Sequence, residues 1–299
     1  MKKFFGICAA ILLLCMAIFP DKSFAEESEG IAAFREALLS GSYTKQNLFR
    51  QDILFTSPFV QAELEILGMA DGDNFRSSGE FSLWIYADDG TVNEQVIPYY
   101  VTQNAKDMNI YFKTDKKWQK ITAPTLAASV ADFLATPSPE EAEQIIAGTK
   151  DVTILQENDY RRIMLVTVDG ERIADAIKAK AEENPADNAT ADVAALQSMF
   201  VDYLDAAFRN SNIWYIWTID KRDLHTVAMQ FNFSGVIQEL ARAALNDPNQ
   251  QWSDDISSLL ETVAYYSEIR AYNTYPTDPA AKKKLDIPKN VLKAKEIRN

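Results

Sequence analysis

The sequence predicts an α+β protein in which a large curved antiparallel β-sheet, an incomplete barrel, has helices packed on its concave face. Between residues 47 and 122 apolar residues recur at every second position, and turn signals separate the segments. This pattern is typical of consecutive antiparallel strands. After Thr122, segments with helical spacing alternate with strand pairs. We find no repeat of fixed period and no Gly/Ser-rich linker, so we expect a single domain over residues 26–299.

The first 25 residues have the pattern of a secretory signal peptide. Two lysines precede an apolar run of about 16 residues, and small residues at Ser23 and Ala25 precede an acidic segment. We expect cleavage after Ala25 and export to the periplasm or the exterior. A retained anchor is the alternative, but the apolar run is shorter than the roughly 20 residues that span a bilayer. A lipid on Cys15 is a further alternative, which the three preceding leucines disfavour.

The exported chain is expected to be acidic and free of cysteine. The whole sequence has a net charge of −13, and loss of three lysines and one aspartate with the signal makes it −15. Both cysteines, Cys8 and Cys15, lie in the signal, which excludes disulfides, a thiol nucleophile and a thiolate metal site from the remainder. The strong negative charge argues against nucleic acid and against anionic lipid surfaces as partners.

The first part of the exported chain is predicted to be one helix followed by a β-meander. Residues 30–40 have the spacing of an amphipathic helix, and residues 87–91 (ADDGT) are predicted to be a hairpin turn. The segment 71–80 (DGDNFRSSGE) is predicted to be a hairpin loop, because it is too short for a calcium loop and lacks its central glycine. Short turns throughout favour a meander, in which successive strands are neighbours.

One hairpin, residues 109–122 (NIYFKTDKKWQKIT), predicts which side of the sheet is dry. A two-residue turn at Asp115 and Lys116 gives three cross-strand pairs: Lys113 with Trp118, Tyr111 with Lys120, and Ile110 with Ile121. Because side chains alternate between faces, the dry face is expected to carry Met108, Ile110, Phe112 and Ile121. The wet face is then expected to carry Asn109, Tyr111, Lys113, Trp118 and Lys120. Lysine stems lying over the aromatic rings explain this patch without a ligand.

The rest of the chain is predicted to mix helices with hairpins. Helices are expected at residues 124–135, 138–148, 171–184, 193–210, 235–246 and 253–264, with a polar loop at 185–192. Ser138 followed by Glu141 has the spacing of a capping box. Strands are expected at residues 151–157, 161–168, 213–220, 225–233 and 265–273, followed by a lysine-rich tail.

Two other strands carry a row of apolar residues on one face, like the dry face of the hairpin. We call each of these three rows a dry stripe. The alternation places Phe81, Leu83 and Ile85 together, and likewise Val227, Met229, Phe231 and Phe233. The candidate lining of a hydrophobic ligand site is therefore Phe81, Leu83, Ile85, Met108, Ile110, Phe112, Val227, Met229 and Phe231. Only helices can cover such a face, and they either fill it or leave a cavity. An apolar space of ~300 Å³ or more would favour a ligand-binding protein.

Catalytic patterns are lacking in the sequence. His225 is the only histidine, and it starts a predicted strand, where we expect a hydrogen-bonded structural role. There is no G-x-S-x-G, H-E-x-x-H or P-loop pattern. A glycosidase that uses only carboxylates stays open as an alternative, although no pair of acids stands out. We therefore expect no enzyme activity, no catalytic residue, no metal and no cofactor.

Residues 217–223 (WTIDKRD) enter a predicted hairpin, and Ile287-Pro288 lies in the C-terminal tail. The two segments resemble the W-x-D-K-x-T hairpin entry and the short I-P element of the bacterial lipoprotein-carrier superfamily, which includes the Lol-type periplasmic carriers and the mycobacterial glycolipid-binding lipoproteins. The order of elements over residues 30–292 is also similar. The resemblance implies an incomplete barrel whose concave side holds helices and, in several relatives, acyl chains. The long helical insertions near 123–149 and 170–212 depart from that pattern and are long enough to fill such a cavity.

Two functions follow as hypotheses. The first is an exported, non-enzymatic protein that binds or carries a lipid or other hydrophobic ligand between sheet and helices. The alternative is an envelope or secreted structural or protein-interaction module with a filled core and no ligand, whose partner would be an envelope protein. In either case we expect a monomer.

Overall fold

The computed structural model describes residues 28–40, 48–71, 74–87, 89–104, 106–124, 138–183, 191–276, 278 and 280–297. The helices are α1 Glu29–Ser40, α2 Pro139–Ala147, α3 Gly170–Glu183, α4 Ala191–Asn210, α5 Ser234–Leu245, α6 Asp254–Tyr266 and α7 Ala280–Lys283. The strands are β1 Leu48–Thr56, β2 Val60–Asp71, β3 Asn74–Tyr86, β4 Val92–Gln103, β5 Asp107–Thr114, β6 Lys117–Pro124, β7 Thr149–Glu157, β8 Arg161–Val168, β9 Ile213–Asp220, β10 Thr226–Asn232, β11 Glu268–Thr274 and β12 Lys295–Glu296.

All twelve strands belong to one sheet with the order β12-β6-β5-β4-β3-β2-β1-β11-β10-β9-β8-β7. Strands β1 to β6 form the predicted meander, and β11 joins β1 to the later hairpins. Every pairing is antiparallel except that of β12 with β6, which is parallel. The sheet is curved but does not close into a barrel, since β12 and β7 remain its two edges. The predicted α+β class with one large curved sheet is confirmed.

The predicted turns and caps are mostly confirmed. Asp115 and Lys116 both have positive φ, at 50° and 65°, which is the backbone of a two-residue hairpin turn with matching strand twist. The three pairs predicted for this hairpin are all present. Gly90 supplies the positive φ that the ADDGT turn requires, at 81°. The capping box at α2 is formed, with the Ser138 amide donating to Glu141 Oε2 at 2.7 Å.

Two boundaries were predicted wrongly. Residues 74–80 are not a loop but the start of β3, because Phe75, Ser77 and Gly79 continue the period-two alternation of that strand. Tyr265 and Tyr266 belong to helix α6 rather than to a strand, and β11 begins at Glu268. The predicted signal peptide, most of the predicted helix at 124–135 and most of the loop at 185–192 lie outside the described residues.

Helices α1 and α2 cover half of one side of the sheet. We call this whole side of the sheet the helix face. On strands β7 to β11 this face carries Met164, Trp217, Met229, Phe231 and Ala271, all buried. Opposite these strand residues, α1 contributes Phe34 and Leu38 to the same core, and α2 contributes Ala142 and Ile146. The main hydrophobic core of the described chain therefore lies between α1, α2 and this half of the helix face.

Helices α3, α4 and α5 form a second hydrophobic core. Its buried members are Ile173, Ala174, Ala176, Ile177, Leu204, Ala207, Phe208, Ile213 and Val236. Helix α3 approaches α4 closely at Gly170, where a Cβ would lie 2.1 Å from the Phe208 carbonyl oxygen. Among the described residues, no helix combines the length and the apolar character that crossing a bilayer requires.

The C-terminal segment crosses the opposite side of the meander, which we call the tail face. Ser78, Tyr100, Tyr111 and Lys120 form one cross-strand row on this face. Ser78 Oγ donates to the Lys284 carbonyl at 3.1 Å, and the Ile297 amide donates to the Lys120 carbonyl at 2.9 Å. The segment is thus anchored at both ends of the row, and its Leu285 and Val291 are buried.

This cover corrects the prediction for the hairpin at 109–122. Tyr111 was expected on a wet face, yet only 7% of it is exposed. Asn109, Lys113, Trp118 and Lys120 are half-buried, like Ile110 and Phe112 on the other side. The prediction of one wet face was wrong, and the C-terminal segment, about 170 residues further along the chain, is hydrogen-bonded on this side to Ser78 and Lys120 of the Tyr111 row. The predicted contact of a lysine stem with an aromatic ring is present, with Lys120 Nζ 6.0 Å from the Tyr111 ring centroid.

Candidate functional site

Strand register places the three predicted dry stripes on the same face of the sheet. Phe112 lies opposite Tyr99, and this row continues through Gly79, Ile66, Gln51 and Asn273 to Met229. The row of Phe81 likewise runs through Leu64, Ile53 and Ala271 to Phe231. Both rows end on the face that α1 and α2 cover. The sequence prediction of one shared apolar face is therefore confirmed.

The nine candidate lining residues nevertheless fall into two separate groups. Strand β10 is four strand positions from β3, which is about 19 Å at the usual spacing. On β10, Met229 and Phe231 are buried in the main core beneath α1, and Val227 lies at a β-bulge beside Thr226. The other six are Phe81, Leu83, Ile85, Met108, Ile110 and Phe112, on β3 and β5. We call these six residues the meander site.

The meander site is apolar but only half-buried. Five of its residues have intermediate exposure and Ile85 is 44% exposed. Neither hydrophobic core of the described chain includes a residue of β2 to β6. Ile121, which was predicted on the dry face but not in the lining, lies beside these residues. The sequence prediction missed four further neighbours on the same face, which share its period-two alternation: Leu64, Ile66, Ile97 and Val101. These residues extend the meander site into a continuous surface.

Charge is distributed unequally between the two faces of the meander. On the helix face of β2 to β6, Lys117 at the β5–β6 turn is the one acidic or basic residue among the described strand positions. The tail face of the same strands carries Glu63, Glu65, Arg76, Glu80, Glu94, Lys113 and Lys120. Because the one charged group of this face lies exposed at the turn, an acyl chain on the rest of the face would not have to desolvate an ion. Its polar members include Ser77 and Gln103, which are buried.

Two glycines shape the centre of this apolar surface. At Gly79 a Cβ would lie 1.7 Å from the Glu65 carbonyl oxygen and 2.9 Å from the Tyr99 hydroxyl oxygen. The Tyr99 side chain passes over this position, and its hydroxyl donates to the Glu65 carbonyl at 2.9 Å. Burial raises the pKa of Tyr99. At Gly68 a Cβ would lie 2.4 Å from the Phe49 ring. Aromatic rings therefore occupy the space that larger residues would take.

Of the concavities formed by described residues, we consider two, and neither includes a residue of the meander site. The larger, about 470 Å³, lies where β8 meets α3 and α4 meets β9, and its lining includes Lys150, Asp169, Arg209 and Ser211. It exceeds the 300 Å³ expected of a ligand cavity, but its lining is mainly polar. The smaller, about 210 Å³, lies on the tail face beside Tyr100 and Trp118.

The single histidine lies at the tip of the β9–β10 hairpin. His225 Nδ1 is 2.5 Å from Asp223 Oδ1. Asp220 lies close enough for the three side chains to offer ligand atoms within 4.8 Å of one another. Arg222 already donates two hydrogen bonds to Asp220, at 2.9 and 2.5 Å, and this holds the pKa of Asp220 below its usual range. The arrangement is a hydrogen-bonded hairpin tip in which Asp220 is already neutralised by an arginine.

A family model matches residues 85–234, from the end of β3 to the start of α5, which is half of the chain. The model describes a family of unknown function, DUF6612. The chain belongs to this family. The DUF6612 match includes β4 to β10 and the hairpin of Tyr111, but not β1, β2 or the C-terminal segment.

Known proteins add little to the DUF6612 match. No curated protein matches the chain. A crystal structure of a DUF1329 family protein from Desulfovibrio piger is 11% identical, with 87% of this chain and all of that chain covered and a TM-score of 0.23. An N-terminal dehydratase from the difficidin assembly line is 10% identical, with 85% of each chain covered and a TM-score of 0.11. Scores this low carry no inference about fold or function.

Proposed function

We propose that this protein is an exported, non-enzymatic binder of a lipid or other hydrophobic ligand, whose acyl chain lies on the meander site. The observation that supports the proposal is the apolar, half-buried helix face of β2 to β6, where Lys117 is the one charged side chain among the described positions. The helices of the main core pack on the other half of that face. A ligand on the meander site would not have to displace Phe34 or Trp217.

Contacts with more than about ten methylenes of an acyl chain supply enough energy for micromolar binding. Each buried methylene contributes about 0.8 kcal/mol, so ten of them contribute about 8 kcal/mol before ordering costs. Micromolar binding corresponds to about 8 kcal/mol, so part of a longer chain must also be buried to offset those costs. No catalytic group is needed for this function, which agrees with the absence of catalytic patterns from the sequence.

The polar end of the ligand belongs at the rim of the sheet. Lys117 is exposed at the β5–β6 turn, at the end of the helix face. An anionic head group there would gain an opposite charge while remaining in water. We therefore expect the acyl chain to run from this turn across β5 and β4 toward β3.

The proposal is tested by analysing protein purified from its own host. Native mass spectrometry and organic extraction should identify a bound lipid, and a fluorescent fatty acid should bind saturably. Ile85 and Tyr86 are neighbours on opposite faces with similar exposure. Ile85→Asn should weaken probe binding by about tenfold through lost apolar contact, whereas Tyr86→Asn should leave it unchanged. Lipid-free extracts together with no saturable probe binding would contradict the proposal.

An exposed surface on α6 favours the alternative, a protein-interaction module for an envelope partner. Leu259 and Tyr266 are 59% and 67% exposed, and Ile256 and Tyr265 are exposed beside them. Large exposed apolar groups on one helix are typical of contact surfaces. Leu259→Asp would abolish partner recovery from envelope extracts and spare fatty-acid binding if this surface carries the function.

Export is part of both proposed functions. If the signal peptide is cleaved as expected, the secreted protein begins at Glu26, and measurement of its intact mass checks this.

A further inference from the structure

The smaller concavity lies on the tail face, on the opposite side of the sheet from the meander site. It has a volume of about 210 Å³ and is open to solvent, and its lining includes Glu80 of β3, Pro98 and Tyr100 of β4, and Trp118 of β6. Such a volume suits a small group rather than a whole drug-sized ligand. We call it the aromatic cleft.

The walls of the aromatic cleft are two aromatic rings and a proline. The Tyr100 and Trp118 rings are 5.6 Å apart between centroids and tilted by 48°. Pairing of β4 with β5 ends at Tyr99, so Pro98 is paired only with Glu80 on β3. Trp118 of β6 reaches past β5 to contact Tyr100 on β4. The neighbour of Tyr100 in its row is the buried Tyr111, which gives the wall a rigid base.

The charges beside the rings favour a cation. Glu80 is exposed and lies directly opposite Glu65 on β2. Like charges in that position destabilise a sheet. Glu65 is 3.5 Å from Arg50, which also binds Asp52 at 3.1 Å, so one arginine serves two carboxylates. The faces of aromatic rings are also negative. A positive group in the aromatic cleft would reduce the repulsion and lie against the rings.

Lysines on this face limit which cation fits. Lys113 and Lys120 lie on its strands, and the C-terminal segment also brings the Lys284 backbone beside Ser78, a residue that lines the aromatic cleft. Lys120 lies over the Tyr111 ring, and Lys113 is opposite Trp118 across the hairpin. A compact primary ammonium is strongly hydrated and would lose that water against Pro98 and the two rings. A methylated ammonium spreads its charge over an apolar surface and loses less hydration. Aromatic residues recognise such groups through cation–π attraction.

We propose that the aromatic cleft binds a quaternary ammonium group, with its methyl groups against Tyr100, Trp118 and Pro98 and its charge near Glu80. The group is either that of a small free molecule such as choline or that of a choline lipid head group. The aromatic cleft and the meander site lie on opposite faces, so this inference does not depend on the proposed acyl-chain binding.

The test compares choline with its uncharged isostere, 3,3-dimethylbutan-1-ol, by calorimetric titration of the full exported chain. Choline should bind saturably, and the neutral isostere should bind at least about tenfold more weakly, since the cation–π attraction is lost. Trp118→Leu should weaken choline binding by about tenfold and Glu80→Gln by about threefold. Glu63→Gln, on the same face but outside the aromatic cleft, is the matched control and should have no effect. Circular dichroism verifies that each variant is folded.

A second arm separates the two sources of the group. Sedimentation with phosphatidylcholine vesicles, compared with phosphatidylglycerol vesicles, detects recognition of a lipid head group. Binding of free choline or of phosphatidylcholine alone would support the inference and assign the source. Equal affinity for choline and its isostere, or unchanged choline binding by folded Trp118→Leu, would overturn it, as would no binding in either arm. Fatty-acid probe binding should be the same for Trp118→Leu and the unmodified protein, so failure of one proposal leaves the other testable.

Discussion

Phe34 of α1 packs edge-on against Trp217 of β9, with ring centroids 5.4 Å apart and an interplanar angle of 85°. Both side chains are buried, and the Trp217 indole N–H donates to Thr226 Oγ1 at 3.1 Å. The contact joins the first helix to a hairpin that follows it by about 180 residues. It places α1 over β7 to β11 and thereby leaves the meander site to other contacts.

Phe34→Ala should destabilise the protein strongly. Removing a fully buried phenylalanine ring costs about 3 to 5 kcal/mol in the free energy of unfolding. Leu39 on the same helix is 42% exposed, so Leu39→Ala should cost under about 1 kcal/mol. Urea denaturation of the two variants measures the difference. Equal losses would show that α1 does not pack through Phe34.

Tyr111→Ser should also be destabilising, because Tyr111 is buried on the tail face, where the C-terminal segment is anchored. The expected cost is about 3 kcal/mol, as for other large buried aromatic residues. Tyr266→Ser is the matched control on an exposed tyrosine, and it should cost under about 1 kcal/mol. Deleting residues 280–299 should make Tyr111→Ser nearly neutral, since the tyrosine then loses its cover. If Tyr111→Ser costs no more than Tyr266→Ser in the full chain, the tail face is not covered as described.

Glu157 should contribute to the loss of stability in acid. Hydrogen bonds from Arg162 and then from Lys221 lower the pKa of Glu157 from 4.5 to about 2. Because the folded pKa is depressed, its stabilising contribution is present above the unfolded pKa near 4.5 and is lost as the pH falls toward 2. Glu157→Gln should flatten the stability profile between these values. Glu140→Gln, outside this group of charges, is the control, and identical acid profiles for the two variants would contradict the linkage.

Much of the sheet was predictable because its causes are local. The residues of the β5–β6 turn accept positive φ, so the turn fixes the register, and period two then assigns each side chain to a face. The same alternation explains why the three dry stripes share the helix face. The alternation also extends through Phe75, Ser77 and Gly79. The strand was not predicted there because glycine and serine are typical of loops.

Contacts between distant segments were not predictable from the sequence. Tyr111 has the alternation of a solvent-facing residue, yet it is buried on the face where the C-terminal segment is anchored at Ser78 and Lys120. Met229 and Phe231 have the same pattern as Phe81, but they belong to the hydrophobic core that α1 completes, and Phe81 does not. Period two reports the face of a side chain and not what covers that face.

Quenching of an introduced tryptophan by a brominated fatty acid tests the central claim most directly. Bromine on an acyl chain quenches the fluorescence of a tryptophan that it contacts. As brominated fatty acid is added, the tryptophan fluorescence of Phe112→Trp, in the middle of the meander site, should therefore fall to a plateau below that of the unmodified protein. Leu155→Trp, on exposed edge strand β7, is the control and should show no saturable loss. Saturable quenching at position 112 alone is the result we expect. No saturable quenching at 112, or equal quenching at 155, would contradict binding of an acyl chain at the meander site.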